Sequence, residues 1–173
     1  MKKLNSILKI SAFVLFVALM ASCLKKEVDP YAAYTPAREA GLIKDWLAKV
    51  KLERLHLDST STGIYYIADT TKIGTGPTVK AGNTVTVKYT GMYTDGTIFD
   101  ASSKHNVAGT MTYIHKTVQF IQGWEQGIEV LNKGAGATFL IPSAKGYGAY
   151  GSRDGSIPPN SQLIFIIEVV DIK

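Results

Sequence analysis

Three runs in this 173-residue chain set aromatic side chains beside aliphatic ones with almost no reactive group among them: Val85-Thr86-Val87-Lys88-Tyr89-Thr90-Gly91, Asp95-Gly96-Thr97-Ile98-Phe99-Asp100 and Phe120-Ile121-Gln122-Gly123-Trp124-Glu125-Gln126-Gly127. A pocket built from such residues suits a reaction in which no atom is attacked and no proton is moved. Rotation about a prolyl amide bond is one. The peptide C–N bond is planar by resonance, and turning it costs about 18–20 kcal/mol. Before proline the two isomers differ by only about 0.5–1 kcal/mol, yet they exchange on the order of tens to hundreds of seconds. The planar amide is the more dipolar, so water favours it over the twisted form. A dry aromatic site weakens that preference, and a shape complementary to the twisted amide adds differential binding. Each gain of about 1.36 kcal/mol is tenfold in rate, so a few contacts suffice.

Other chemistries find little support. Cys23 is the single cysteine, which excludes an internal disulfide and a thiolate metal cluster. His56 falls at a helix end, His105 in a polar loop and His115 near a turn, none with a carboxylate or thiol at ligand spacing, so no metal and no cofactor is expected. Ser102-Ser103 lacks a paired His and acid for nucleophilic catalysis, and Gly74-Thr75-Gly76 lacks the Lys and long loop of a phosphate cradle.

The elements that must position the aromatics follow from periodicity. Thr35-Pro36 reads as an N-cap followed by Pro at the first helical position. Ala40, Ile43, Leu47 and Val50 recur at helical spacing with Trp46 beside them, predicting an amphipathic helix from 36 to about 54. Beyond Gly63 the pattern turns to strands: 64–68, then a Gly74-Thr75-Gly76-Pro77 turn cluster, then 84–89 with Val85, Val87 and Tyr89 on one face. Thr94-Asp95-Gly96 marks a hairpin turn. Trp124, Ile128 and Leu131 predict a short helix with one apolar side, and 137–141 and 163–172 read as further strands. Strands with one short embedded helix imply an α+β domain built on an antiparallel sheet.

With Gly146-Tyr147-Gly148, Ile157-Pro158-Pro159-Asn160 and Leu163-Ile164-Phe165 added to the opening runs, the order and spacing resemble the FKBP family of peptidyl-prolyl cis-trans isomerases from about Gly63 to the C-terminus. The resemblance implies an antiparallel sheet wrapped around the short helix, with Trp124 as the floor of a proline pocket and Tyr89, Phe99, Phe120, Ile121 and Phe165 as its walls. It also implies that the Ile121 N–H and the Tyr147 hydroxyl hold substrate carbonyls and that Asp100 orients the site. Gly146, Gly148 and Gly151 around Tyr147 suit a mobile loop that could close over substrate, and Ile157, beside Pro158-Pro159, is implied as a substrate contact, with a rigid turn that touches no substrate as the alternative or the companion reading. Two positions depart from the commonest pattern: Met111 stands where many members carry an aromatic pocket residue, and Ser156 where a second isoleucine often precedes Ile157. Proline-containing segments of exported proteins are the implied partners, and macrolide inhibitors a further ligand class.

The N-terminus carries its own signals. Lys2, Lys3 and Lys9 precede a short apolar run at 10–20 that reads as a secretory signal, and Met20-Ala21-Ser22-Cys23 resembles a bacterial lipobox whose Cys is acylated, with Met20 where Leu is commoner. The alternative is a plain signal peptide or an uncleaved anchor. Residues 1–23 are thus read as a lipoprotein signal, 24–35 as a tether, 36–58 as a helical extension and 59–173 as the isomerase domain. Without the first 23 residues the chain has 16 basic against 14 acidic side chains, a net charge of +2, so the basic balance of the whole chain is no argument for nucleic acid. A lipid chain contributes about 0.8 kcal/mol per buried CH₂, enough with more than one chain for stable anchoring. The reading places the folded part in the bacterial cell envelope, on the outer membrane facing the periplasm, as a monomer or a helix-mediated dimer.

Two other function classes stay open at this level. A peptide-binding chaperone module would keep the apolar groove and turn over proline poorly. A structural lipoprotein would use the helix at 36–54 as its partner surface, leaving the pocket dispensable.

Overall fold

The computed structural model describes residues 29–53 and 55–173; the signal, Cys23 and most of the tether lie outside them. Contacts divide the chain into Met1–Ala32 and Ala33–Lys173. In the first unit residues 29–32 form a turn in which Asp29 Oδ1 accepts the Tyr31 N–H at 2.8 Å.

The second unit begins with helix α1, Pro36–Leu52. Thr35 Oγ1 accepts the Arg38 N–H at 3.2 Å, satisfying one of the amides that a helix start leaves without a partner. Glu39 in the first turn and Lys49 and Lys51 in the last suit the helix dipole. Of the apolar stripe only Val50 is fully buried, while Ile43, Trp46 and Leu47 are half-covered. The Glu39 carboxylate fastens the helix by accepting the Ser143 N–H (2.5 Å) and hydroxyl (2.6 Å), and Asn160 Nδ2 donates to the Tyr34 carbonyl (2.8 Å).

Seven antiparallel strands follow: β1 (Asp58–Ser59), β2 (Tyr65–Thr78), β3 (Thr84–Met92), β4 (Ile98–Ala101), β5 (Met111–Ile114), β6 (Asn132–Ile141) and β7 (Leu163–Ile172). Their spatial order is β1-β2-β6-β7-β3-β4; β4 pairs with the end of β3 and β5 with its beginning. The expected alternation holds in β3, where Val85 and Val87 are fully buried and Lys88 is exposed. The hairpin after β3 closes as predicted: Gly96 N–H donates to the Tyr93 carbonyl (3.0 Å) and Thr97 N–H to Asp95 Oδ1 (2.8 Å).

One expectation fails. The Gly74-Thr75-Gly76-Pro77 cluster is not a turn between strands; it lies inside β2, which runs on against β6 with register shifts between Ala68 and Ile73 and between Thr75 and Thr78. Gly74 takes φ +68, and a Cβ there would sit 2.6 Å from the Ala135 amide nitrogen. Turn chemistry here makes bulges in a bent strand.

Helix α2, Gln122–Ile128, buries Trp124 and Ile128 against the sheet, in one core with Val85, Val87, Phe139, Phe165 and Ile167. This is the α+β arrangement expected from the strand and helix pattern, with the wrapping that the family resemblance implied: an antiparallel sheet around a short helix, and an N-terminal helical extension.

Candidate functional site

The floor of the site is Trp124, 3 % exposed. The Ile121 carbonyl accepts the Trp124 and Glu125 amides and starts α2, which aims the indole at the sheet. Its Nε1–H donates to the Tyr113 hydroxyl at 3.0 Å, so the one polar atom of the indole is satisfied inside the core. Burial pushes the Tyr113 phenol up to about 12, against the pull of the indole hydrogen bond, so it stays a neutral partner. Three other rings meet the indole: Tyr89 at 5.3 Å and Phe165 at 5.4 Å, both edge-on, and Phe120 at 5.6 Å, tilted.

The walls come from separate strands. Phe99 of β4 stands edge-on to Phe165 of β7 at 5.6 Å. Both pass over Gly91 of β3, where a Cβ would lie 2.7 Å from Phe99 and 2.8 Å from Phe165. The glycine of the Tyr-Thr-Gly run therefore makes room for two rings.

Asp100 is the polar centre of this side. Its Oδ2 accepts the Tyr89 hydroxyl at 2.7 Å, and its Oδ1 accepts the Ala101 N–H and faces His105 Nε2, each at 2.8 Å. Burial pushes this carboxyl up, but the bonds from Tyr89, His105 and Ala101 outweigh it and hold the group below its usual range. Burial first, and the neighbouring Asp100 second, raise the Tyr89 phenol far above its ordinary value. Ser102 braces the same corner: its hydroxyl donates to the Gly109 carbonyl (2.7 Å) and accepts the Tyr89 N–H (3.0 Å).

These rings enclose a cleft of about 540 Å³, completed by Met111, Gln119, Phe120, Ile121, Gln122, Gly146 and Tyr147. Tyr147 is 41 % exposed at the mouth. Its phenol is raised by burial and by the negative charges of Asp154 and Asp100. Asp100 is the single carboxylate on this lining.

Of the residues singled out from the sequence, the structure gathers Tyr89, Phe99, Asp100, Met111, Phe120, Ile121, Trp124, Tyr147 and Phe165 around one cavity. Ile157 stands apart. It is 3 % exposed in the core, and its N–H donates to Ser152 Oγ at 2.7 Å, so its side chain packs under the loop and does not line the cleft. Ser156 serves that loop: its N–H and hydroxyl both donate to Asp154 Oδ1, which also takes the Ser152 hydroxyl. These bonds lower the Asp154 carboxyl to about 2. Cys23 lies outside the described residues.

Sequence reasoning missed three supporting groups. Tyr113 is two residues from Met111 on the same strand face, a period-two signal that was available. Ser102 and His105 reach the site through a short helical turn at Ser102–Lys104, and no periodicity announces that.

A curled antiparallel sheet closing a ring-lined, carboxylate-edged cleft over a short helix defines a class, and the comparisons name it. Residues 76–170, more than half of the chain, match the family described as FKBP-type peptidyl-prolyl cis-trans isomerase. The chain is 41 % identical over 118 residues to the FKBP-type peptidyl-prolyl cis-trans isomerase FkpA of Buchnera aphidicola subsp. Schizaphis graminum, covering 68 % of this chain and 44 % of that one. It is 37 % identical over 114 residues to a probable FKBP-type peptidyl-prolyl cis-trans isomerase of Haemophilus influenzae, covering 66 % and 44 %. The chain thus spans less than half the length of these curated relatives. The crystal structure of FkpA from Escherichia coli superposes with a TM-score of 0.67 at 26 % identity, covering 96 % of this chain and 71 % of that one. The protein belongs to the FKBP-type peptidyl-prolyl cis-trans isomerase family.

Proposed function

We propose that this chain accelerates cis-trans rotation of X-Pro bonds in exported proteins. The observation that carries the reading is the cleft itself: an indole floor with phenyl and phenol walls, and one carboxylate already occupied by three partners. Asp100 has no proton to move in this reaction, so its task is orientation. Trp124 supports the proline ring, and Tyr89, Phe99, Phe120, Ile121 and Phe165 exclude the water that stabilises the planar amide. The Ile121 N–H and the Tyr147 hydroxyl hold the carbonyls that flank the rotating bond, and Met111 adds a flexible apolar contact. A macrolide inhibitor would compete for the same walls.

The test is a protease-free isomerisation assay on a short X-Pro peptide. The proposal expects catalysis by the parent chain and its loss in Trp124→Ala and Asp100→Val. Peptide binding without any acceleration of exchange would replace it with the chaperone reading.

The lipid anchor at Cys23, and attachment to the outer membrane facing the periplasm, are proposed on the lipobox-like Met20-Ala21-Ser22-Cys23 run. Incorporation of radioactive fatty acid should be abolished in Cys23→Ala; equal labelling of both proteins would refute the anchor.

A further inference from the structure

We infer that Glu39 of α1 is a positioning residue for Tyr147: by gripping Ser143 it fixes the loop that presents the Tyr147 hydroxyl, so the N-terminal helix sets how tightly the cleft holds a peptide carbonyl. This rests on the isomerase reading above and extends it to a residue outside the cleft.

The loop after β6 leaves the sheet at Ile141, makes a short helical turn at Ser143–Lys145 and reaches Gly146 and Tyr147 on the cleft lining. The Gly146 N–H closes that turn on the Ser143 carbonyl at 2.8 Å, so one tight turn joins Ser143 to Tyr147. Ser143 is 5 % exposed. Its N–H and its hydroxyl both donate to the carboxylate of Glu39, 104 residues earlier in the chain, at 2.5 and 2.6 Å. Buried donors need acceptors, and the charged one supplied here comes from another element of the fold. Without it the turn must shift toward water or a new acceptor, and Tyr147 shifts with it.

A second tie lies on the other side of Tyr147. The Asn160 N–H donates to the Gly148 carbonyl at 2.9 Å, and Asn160 Nδ2 donates to the carbonyl of Tyr34, the residue before the Thr35 cap of α1, at 2.8 Å. Residues 143–148 are thus held at both ends from the start of one helix. Tyr147 itself is poorly placed to fix its own position. It is 41 % exposed, and the glycines beside it include Gly148 at φ +68, where a Cβ would meet nothing within 4 Å. Trp124, by contrast, is held by the rings around it and by Tyr113. The cleft floor is therefore set by its own packing, and the mouth by anchors that lie outside it.

The bond from Tyr147 to a peptide carbonyl is made whether the neighbouring amide is planar or twisted, so weakening it falls on KM and leaves kcat level. The experiment measures both constants for an X-Pro peptide with the full chain in the protease-free assay. Glu39→Ala should raise KM about two- to tenfold, the worth of one neutral hydrogen bond. Glu39→Gln, which keeps an acceptor at the same reach, should restore part of the loss. Tyr147→Phe removes the bond itself, and adding Glu39→Ala to it should raise KM no further; a merely structural role for Glu39 would act equally in both backgrounds. If Glu39→Ala fails to fold by circular dichroism, Ser143→Ala takes its place in the same cycle, with a smaller rise expected because one of the two bonds survives. Turnover with an unchanged KM, a loss that falls on kcat, or the same rise with Tyr147→Phe as without it overturns the inference and leaves the isomerase reading standing. No turnover by the parent protein overturns both.

Discussion

Two cavities of nearly equal size lie on this molecule, about 540 Å³ for the aromatic cleft and about 550 Å³ for a groove between α1 and the β3–β4 hairpin. Their walls differ. In the cleft Tyr89, Phe99, Phe120, Trp124 and Phe165 each lean on another ring, and the polar atoms of Trp124, Tyr89 and Asp100 are bonded to one another or to their neighbours. The groove sets Leu42 and Trp46 of α1 opposite Met92, Tyr93 and Ile164, with Arg38, Asp45, Lys49 and Asp95 along it. Beneath it the buried Gln162 amide donates to Thr94 Oγ1 at 3.0 Å, while its Oε1 has no partner among the described residues. One wall of the groove is a helix fastened near its start, whereas Tyr89, Phe99, Phe165 and Trp124 of the cleft stand on β3, β4, β7 and α2. Volume does not make a site for amide rotation. The proposed catalysis by differential binding needs walls that hold their geometry when a substrate twists, and of these two cavities the cleft meets that need.

The contrast can be broken by substitution. Trp124→Ala should lower stability by about 3–5 kcal/mol, as for other large aromatic truncations, and reduce kcat/KM by at least about tenfold. Trp46→Ala, the matching change in the groove, should leave kcat/KM within about twofold; equal losses in the two variants would erase the distinction. Glu39→Ala removes both acceptors of Ser143 and should cost about 1.5–3 kcal/mol in urea denaturation, since bonds to a charged group are the stronger kind. Tyr113→Phe leaves the indole N–H unpaired in the core, for a loss of about 1–3 kcal/mol. It should also shift the Trp124 fluorescence, with little change from Trp46.

The smallest effect is one of pH. Because the folded Asp100 carboxyl lies below its ordinary 3.8, its ionised form stabilises the fold above that value, and the contribution is lost as pH falls through the lower folded value. The Tm difference between the parent protein and Asp100→Asn should therefore be widest near neutrality and close in acid. A difference that stays constant well below 3.8 would show that the carboxylate's charge is not what holds this wall.

Much of this was readable in one dimension because local rules and tertiary needs agree. Thr35-Pro36 starts α1, Val85 and Val87 alternate with Lys88, Asp95-Gly96 closes a hairpin, and the apolar run at 163–172 becomes β7. Where a pattern serves two structures the local rule misleads. The glycines at 74 and 76 suit a turn as well as a bulge, and pairing with β6 decides for the bulge. Ile157, beside two prolines and near a mobile-looking glycine loop, goes to the core, with its N–H bonded to Ser152 Oγ.

Sequence alone determined the aromatic inventory, the order of the blocks and the scarcity of reactive groups, since residue types and spacing are one-dimensional facts. Only the fold decided that Trp124 is bonded to Tyr113, that Gly91 clears space for two rings, and that His105 returns to Asp100. Those contacts join residues on different strands, turns and the short helix. Their existence depends on sheet register and turn direction, which are set by packing across the whole domain and leave no periodic mark at the positions themselves.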